Sequence, residues 1–338
     1  MRRALAHGLS QVLETLCVTA CAVEVKSYAL AVSLFPKLRG LALHVRSGGG
    51  QLDIAQLGEL PCLAILSLSG WEHLRLTGSS LLPALKRLSF DNGDFNEVTT
   101  VVLDAKLPSL QSLTVSGIDT LQLSGELPQL MLLKLLAIDK PTFSWRTMPS
   151  LREASVEGMT GLSVGTAGLA QLTCLTHLCV WLIGYDDGQY SGCEMADSLV
   201  GAASPTLREL HITGEREVWS QPPPLSRFTQ LTSLTSCCVG IIPHLVQLGQ
   251  LRKLRFPERS AADLTLEQIE CLADLTSLQV LHFSRGLRGS KGARRRLQVC
   301  GIGVWAAGLS CVGCLRHGGH ANSWYGANTA VGLQTLCE

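Results

Sequence analysis

Apolar residues recur along this chain in one short phrase. In its usual form the phrase has an apolar residue first, a leucine fourth, and apolar residues at the seventh and ninth places. Alternate residues of a β-strand point to opposite faces, so the end of each phrase predicts a short strand with its seventh and ninth residues inward. Eleven copies occur: FPKLRGLAL from Phe35, LPCLAILSL from Leu60, LPALKRLSF from Leu82, LPSLQSLTV from Leu107, LPQLMLLKL from Leu127, MPSLREASV from Met148, LTCLTHLCV from Leu172, SPTLRELHI from Ser204, FTQLTSLTS from Phe228, LGQLRKLRF from Leu248 and LTSLQVLHF from Leu275.

The copies are nearly evenly spaced. Nine of the ten intervals between their seventh residues are 20 to 27 residues long, and one is 32. A single unit of this size cannot bury its own apolar face, so neighbouring units stack and their strands pair in parallel. We therefore expect residues 35–284 to form one solenoid of the α/β class with a buried row of seventh residues that includes Leu66, Leu88, Leu113, Leu133, Leu178 and Leu210.

The repeated phrase resembles the leucine-rich repeat, whose units run about 20–29 residues. The resemblance implies a curved solenoid with a parallel sheet on its concave side and mixed short strands, turns and helices on its convex side. The Leu-Pro-x-Leu and Leu-Thr-x-Leu openings look like repeats of plants and green algae. Many members carry an asparagine after each strand, but this chain has only four, and the matching positions here include Trp71, Ile118 and Ile138.

The segments between the phrases predict different convex structures. Second alternating stretches from Leu74, Thr100 and Leu121 predict additional short strands. Residues 264–275 predict a helix, because apolar residues fall on one face and Thr265 and Gln268 have the spacing of a capping box.

Neither end contains a copy of the phrase. Leu9, Leu13 and Leu16 would share one face of a helix, and we expect residues 1–34 to be a helical cap that covers the end of the core. Residues 285–338 begin with six bases in twelve residues and continue rich in Gly and Cys, so we expect a poorly ordered tail. Cys311, Cys314, His317 and His320 are too closely spaced there for a usual zinc site.

Composition narrows the function and the compartment. The chain carries a net charge of +1, but residues 1–284 carry −5, which argues against nucleic-acid binding along the array. No apolar run reaches the roughly 20 residues of a membrane helix, so we expect no membrane span. An odd number of cysteines, 13, without a framework favours reduced thiols and a cytoplasmic protein. The similarity to algal repeats raises a cytoskeletal or axonemal location as the alternative.

Neither a nucleophile with a base nor a cofactor motif in its required context is evident, so we expect no enzyme activity, cofactor or metal. The leading hypothesis is a scaffold that binds an unidentified protein through its concave face. The alternatives are a ubiquitin-ligase substrate receptor of the F-box type without its F-box, or a regulator of an enzyme, as an inhibitor or GTPase activator. The oligomeric state is left open.

The outward strand positions predict where such a partner would bind. Early copies offer small groups, whereas three consecutive middle copies offer charged and aromatic groups. A competing interpretation is that Trp181 folds under the long unit that follows it. The predicted binding residues are Glu153, Glu157, His177, Trp181, Glu209 and His211.

Overall fold

The computed structural model describes most of the repeat array and parts of both ends. The described residues are 13–20, 35–45, 50–77, 82–92, 99–159, 168–182, 199–214, 225–257, 265–283 and 303–306.

One long parallel ladder contains a strand from each of the eleven phrases. We call it the principal ladder. In chain order its strands are β1 Thr15–Ala20, β2 Gly40–Val45, β4 Ile65–Ser69, β6 Arg87–Asp91, β8 Ser112–Leu123, β9 Leu132–Phe143, β10 Glu153–Met159, β11 His177–Leu182, β12 Glu209–Gly214, β13 Ser233–Ser236, β14 Lys253–Phe256, β15 Val280–Phe283 and β16 Gly303–Ala306.

A second, shorter parallel ladder runs beside it. Its strands are β3 Gln51–Asp53, β5 His73–Thr77 and β7 Thr100–Asp104, followed by the C-terminal parts of β8 and β9. The strands expected from Leu74, Thr100 and Leu121 are therefore confirmed. β8 and β9 pair in both ladders and also at Ile118 and Ile138 between them, so their main-chain groups bond to one another where an asparagine ladder would otherwise bind them.

The register of the principal ladder places the seventh residues of the phrases side by side in the core. Leu66 pairs with Leu88, which pairs with Leu113, and Leu113 pairs with Leu133. All six leucines predicted to be buried have at most 2% of their surface exposed. A solenoid of the leucine-rich repeat type, with its units stacked through one parallel sheet, is thus the fold of residues 13–306 where they are described.

Short helical elements connect the strands on the other side. The 3₁₀ helices are Ile54–Leu57, Trp145–Thr147, Leu169–Gln171, Leu225–Arg227 and Val239–Gln247, and residues 199–202 are helical. The predicted helix is present as Leu266–Ala273. Its capping box is confirmed, because Thr265 Oγ1 accepts from the Gln268 amide while the Gln268 side chain accepts from the Thr265 amide.

The helical expectation is wrong where the N-terminal segment is described. Residues 15–20 form β1, which pairs in parallel with β2 so that Leu16 lies beside Leu41 and Val18 beside Leu43. The physical reason is a twelfth copy of the phrase, SQVLETLCV from Ser10, whose leucines at positions 13 and 16 also have helical spacing. Packing against the next unit selects the strand. The other residues of 1–34 lie outside the described ranges.

The C-terminal tail also contains a strand of the ladder. β16 pairs in parallel with β15, and Val304 lies beside Leu281. The expectation of a tail without a repeat is therefore wrong at residues 303–306. The chain divides into a compact unit of residues 1–307 and a second unit of residues 308–338. The second unit, with its four closely spaced Cys and His residues, lies outside the described ranges.

In the described part of the chain, no helix has the length and apolar character needed to cross a membrane.

Candidate partner-binding surface

The six residues selected from the sequence lie on three neighbouring strands of the principal ladder. β10 carries Glu153 and Glu157, β11 carries His177 and Trp181, and β12 carries Glu209 and His211; we call these six residues the central patch. Adjacent strands lie about 4.8 Å apart. The register places His177 between Glu153 and Glu209 and sets Glu157 beside Trp181.

The central patch is partly accessible. Glu153 is exposed, and the other five residues are half-buried. Trp181 is therefore neither fully enclosed nor fully free, and the segment that follows Leu182 lies outside the described residues. The competing interpretation, in which the next unit covers the indole, stays a prediction.

His177 has a polar neighbour at each ring nitrogen. Its Nε2 lies 3.5 Å from Glu209 Oε1, and its Nδ1 lies 2.8 Å from Thr176 Oγ1. Ion pairs between accessible side chains contribute about 0–1 kcal/mol. These contacts therefore orient the ring more than they stabilise the fold.

Glu157 receives two hydrogen bonds from side chains in the same area. Ser155 Oγ donates to its Oε1 at 2.5 Å, and Cys179 Sγ donates to the same oxygen at 3.8 Å. Burial, with the negative charge of Glu157 as the second cause, raises the pKa of the Cys179 thiol to about 11. A thiol with that pKa is almost entirely protonated at neutral pH and is a poor nucleophile.

His211 lies where burial and nearby charges compete. Burial lowers its pKa; Glu209 and Glu157 act in the opposite direction, whereas Arg255 and His177 lower it further. The lowered pKa keeps the imidazole neutral at pH 7, so it offers one hydrogen-bond donor and one acceptor.

A shallow pocket of about 170 Å³ opens between β9 and β12. Cofactors and small ligands usually occupy about 300–1,000 Å³, so this volume suits a single side chain of a protein partner better than a cofactor. The six residues predicted from the sequence leave out four outward residues that line this pocket. That prediction favoured large groups on three strands, whereas these four also occupy outward positions of their phrases. They are Leu132, Lys134, Ser155 and Cys179.

Comparisons with known proteins were made with family models, curated proteins and solved structures. No family model matches the chain, and no curated protein matches it. Several solved structures are similar, and two of them are described here. The TLR13–ssRNA13 complex matches with 13% identity and a TM-score of 0.38, covering 83% of this chain and 49% of that one. The functional domain of InlJ from Listeria monocytogenes, which includes a cysteine ladder, matches with 15% identity and a TM-score of 0.37, covering 82% of this chain and 60% of that one. This chain therefore spans about half to three-fifths of these neighbours.

A second polar cluster lies on the early strands and was not found from the sequence. The Oγ atom of Ser69 is 2.7 Å from Nδ1 of His44, and Ser116 Oγ donates to Asp91 Oδ1 at 2.7 Å. Both contacts join side chains of neighbouring strands, so they form cross-strand hydrogen bonds on the outward face of the principal ladder. Within the described ranges, no group of three His, Cys, Asp or Glu side chains is placed to hold a metal ion.

Proposed function

We propose that this chain is a non-catalytic scaffold that binds a protein partner through the central patch. The observation that carries the proposal is the placement of Glu153, His177, Trp181 and Glu209 on three adjacent strands beside a pocket of side-chain size. Trp is a preferred anchor of protein interfaces because it buries a large area and has one donor. The strands hold the backbone of these residues in place before binding, so the ordering cost at binding is that of the side chains alone.

The test is a comparison of partner capture by the natural chain and by the double variant Trp181→Ala with Glu209→Ala. Partners captured from lysate are identified by mass spectrometry, and each is then measured as a purified protein against both chains. We expect the double variant to lose roughly tenfold or more in affinity, as for removal of one interface anchor. Undiminished binding by the folded double variant would exclude the central patch.

A matched control uses the second ladder. Arg75 and Lys140 are exposed on β5 and β9 there, so the double variant Arg75→Ala with Lys140→Ala removes two surface groups without touching the central patch. This control should capture partners as the natural chain does. Equal thermal unfolding of all three chains separates lost contact from lost fold.

The captured protein also decides between the specific roles. A ligase subunit would support the substrate-receptor alternative, an inhibited or activated enzyme would support the regulator alternative, and tubulin would support an axonemal location over a cytoplasmic one. We propose no cofactor and no nucleic-acid ligand, because the acidic balance of residues 1–284 repels phosphate backbones.

A further inference from the structure

The charge on the outward face of the principal ladder changes sign between β12 and β14. The acids Glu153, Glu157 and Glu209 lie on β10 and β12. Two strands beyond β12, β14 presents Lys253 and Arg255, and both are exposed. The central patch is therefore followed on the same face by a basic pair.

The register gives the separation of the two charged groups. Glu209 pairs with Ser233 and Ser233 pairs with Lys253, so two inter-strand steps, or about 10 Å, separate the acid from the base. Glu153 lies two strands further away, about 19 Å from Lys253 by the same spacing. These separations are too large for a direct ion pair.

The basic pair has no described carboxylate within ion-pair distance. Two ion pairs among the described residues join Lys106 to Glu126 and His177 to Glu209, and neither includes Lys253 or Arg255. Between the acids and the bases, β13 presents only Ser233, which is half-buried, and Thr235, which is 7% exposed. Because these side chains are small, a partner backbone can pass over β13 between the acids and the bases.

We propose that the partner segment seated on this face carries both signs of charge. A lysine or arginine of the segment meets Glu153 or Glu209, and an aspartate or glutamate meets Lys253 and Arg255. This inference rests on the proposed function and adds the chemistry of the partner. An extended chain advances about 3.3 Å per residue, so the two charges are about three to six residues apart.

Charge complementarity favours this partner over a segment of one sign. A segment that carries only bases is attracted by the acids but repelled by Lys253 and Arg255. A segment that carries only acids is attracted by the basic pair but repelled by Glu153 and Glu209. Like charges placed across an interface suppress the wrong partner more strongly than matched charges add affinity.

A random library of displayed twelve-residue peptides, selected on the full chain, provides the probe. We expect enriched peptides to carry a Lys or Arg three to six positions from an Asp or Glu. Enrichment without this spacing, or no enrichment over selection without the chain, would overturn the inference.

Two charge-reversal variants test each half separately. With Lys253→Glu and Arg255→Glu, selection should lose its acidic position, and the peptides chosen by the natural chain should bind about tenfold more weakly. With Glu153→Lys and Glu209→Lys, selection should lose its basic position instead. The control is Arg75→Glu with Lys140→Glu on the second ladder, which should leave the selected sequences unchanged.

The outcomes distinguish this inference from the proposed function. Peptides that depend on Glu153 and Glu209 but ignore Lys253 and Arg255 would refute the mixed-charge partner and leave the central patch as the binding surface. Peptides that ignore both pairs would refute both proposals. Preference for single-stranded nucleic acid over every peptide in competition would also overturn them.

Discussion

Ala137 holds in β9 the left-handed backbone conformation that Gly117 holds one unit earlier in β8. Their φ angles are 51° and 64°, and both residues lie between paired positions of the two strands. Gly158 of β10 and Gly70 after β4 repeat the conformation four residues after the seventh position of their phrases, with φ of 70° and 75°. In β8 and β9 this bend lies where the chain passes from the principal ladder to the second ladder. Ala137 is the one described non-glycine residue with a positive φ.

Ala137→Gly should therefore stabilise the solenoid. A left-handed L-residue costs about 1–2 kcal/mol, whereas glycine adds roughly 0.5–1 kcal/mol of unfolded-state entropy, so we expect a gain of up to about 1 kcal/mol in the free energy of unfolding. Urea unfolding followed by circular dichroism measures it. Gly117→Ala is the converse variant and should lower stability; a loss of stability in Ala137→Gly would mean that the methyl group contributes packing that outweighs the strain.

Ile65 and Leu66 provide a test of the register at two consecutive positions. Leu66 has 0% of its surface exposed, whereas Ile65 is 39% exposed on the outward face of β4. Leu66→Ala should reduce the free energy of unfolding by roughly 2–5 kcal/mol, as for other core leucines, and Ile65→Ala should change it by less than about 1 kcal/mol. Equal losses in chemical denaturation would contradict the assigned inward and outward faces.

The ladder was predictable because each copy of the phrase makes the same physical demand. Leu88 and Leu113 each need a buried surface that only the neighbouring unit supplies, and the observed pairing joins them directly. The capping box at Thr265 was predictable for a similar reason, since two side chains satisfy two amides locally.

The first and last strands were missed because their phrases depart from the usual form. In the copy from Ser10, Leu13 and Leu16 fit a helical face as well as a strand, so local spacing does not decide between them. In the last copy, Gln298 and Gly301 stand where most copies have an apolar residue and a leucine. Only the pairing of each strand with its neighbour shows that the ladder continues.

The sequence predicts which side chains point outward from the strands, but it does not predict how deeply each of them is buried. Outward positions follow from alternation, which places Glu153, His177 and Glu209 in one row. The half-burial of Cys179 and the pocket beside Lys134 depend on how the side chains of neighbouring strands pack against one another. The period of apolar residues along the sequence does not determine that packing.

Stability should fall when the pH drops through the ordinary range of histidine. Burial lowers the pKa of His211 and His282 below the ordinary value of 6.5, so the unfolded chain binds more protons in the interval between the folded and unfolded pKa values. The stabilisation is complete above pH 6.5 and is lost as the pH falls to the folded pKa. Four charged or titratable residues act on the pKa of His211: Glu157, His177, Glu209 and Arg255.

The variant His211→Gln measures this contribution. Its free energy of unfolding should change less between pH 7.5 and pH 5.5 than that of the natural chain. Gln122→Ala removes an exposed side chain of β8 that does not titrate, so this control should leave the natural pH dependence in place. An unchanged pH dependence in His211→Gln would show that the ring does not contribute to it.

Alkylation should reveal the protonated state of Cys179. With its pKa raised to about 11, roughly one thiol in a thousand is ionised at pH 8, and only the thiolate reacts. The exposed Cys62 and Cys174 should therefore react with iodoacetamide well before Cys179 in the folded chain. Fragment-ion mass spectrometry over time gives the three rates, and in urea they should converge. Early modification of Cys179 in the folded chain would contradict its burial beside Glu157.

A chain that ends after residue 284 should be less stable than one that ends after residue 307. The longer chain keeps β16, which pairs with β15 along Val280–Phe283, whereas the shorter chain leaves β15 as an open edge. Phe283 lies on that strand and stacks on Phe256 with ring centroids 5.2 Å apart. Partial exposure of one such side chain costs on the order of 2 kcal/mol, so the midpoint of thermal unfolding should fall. If the two chains unfold at the same temperature, β16 adds no stability and β15 is an adequate end to the solenoid.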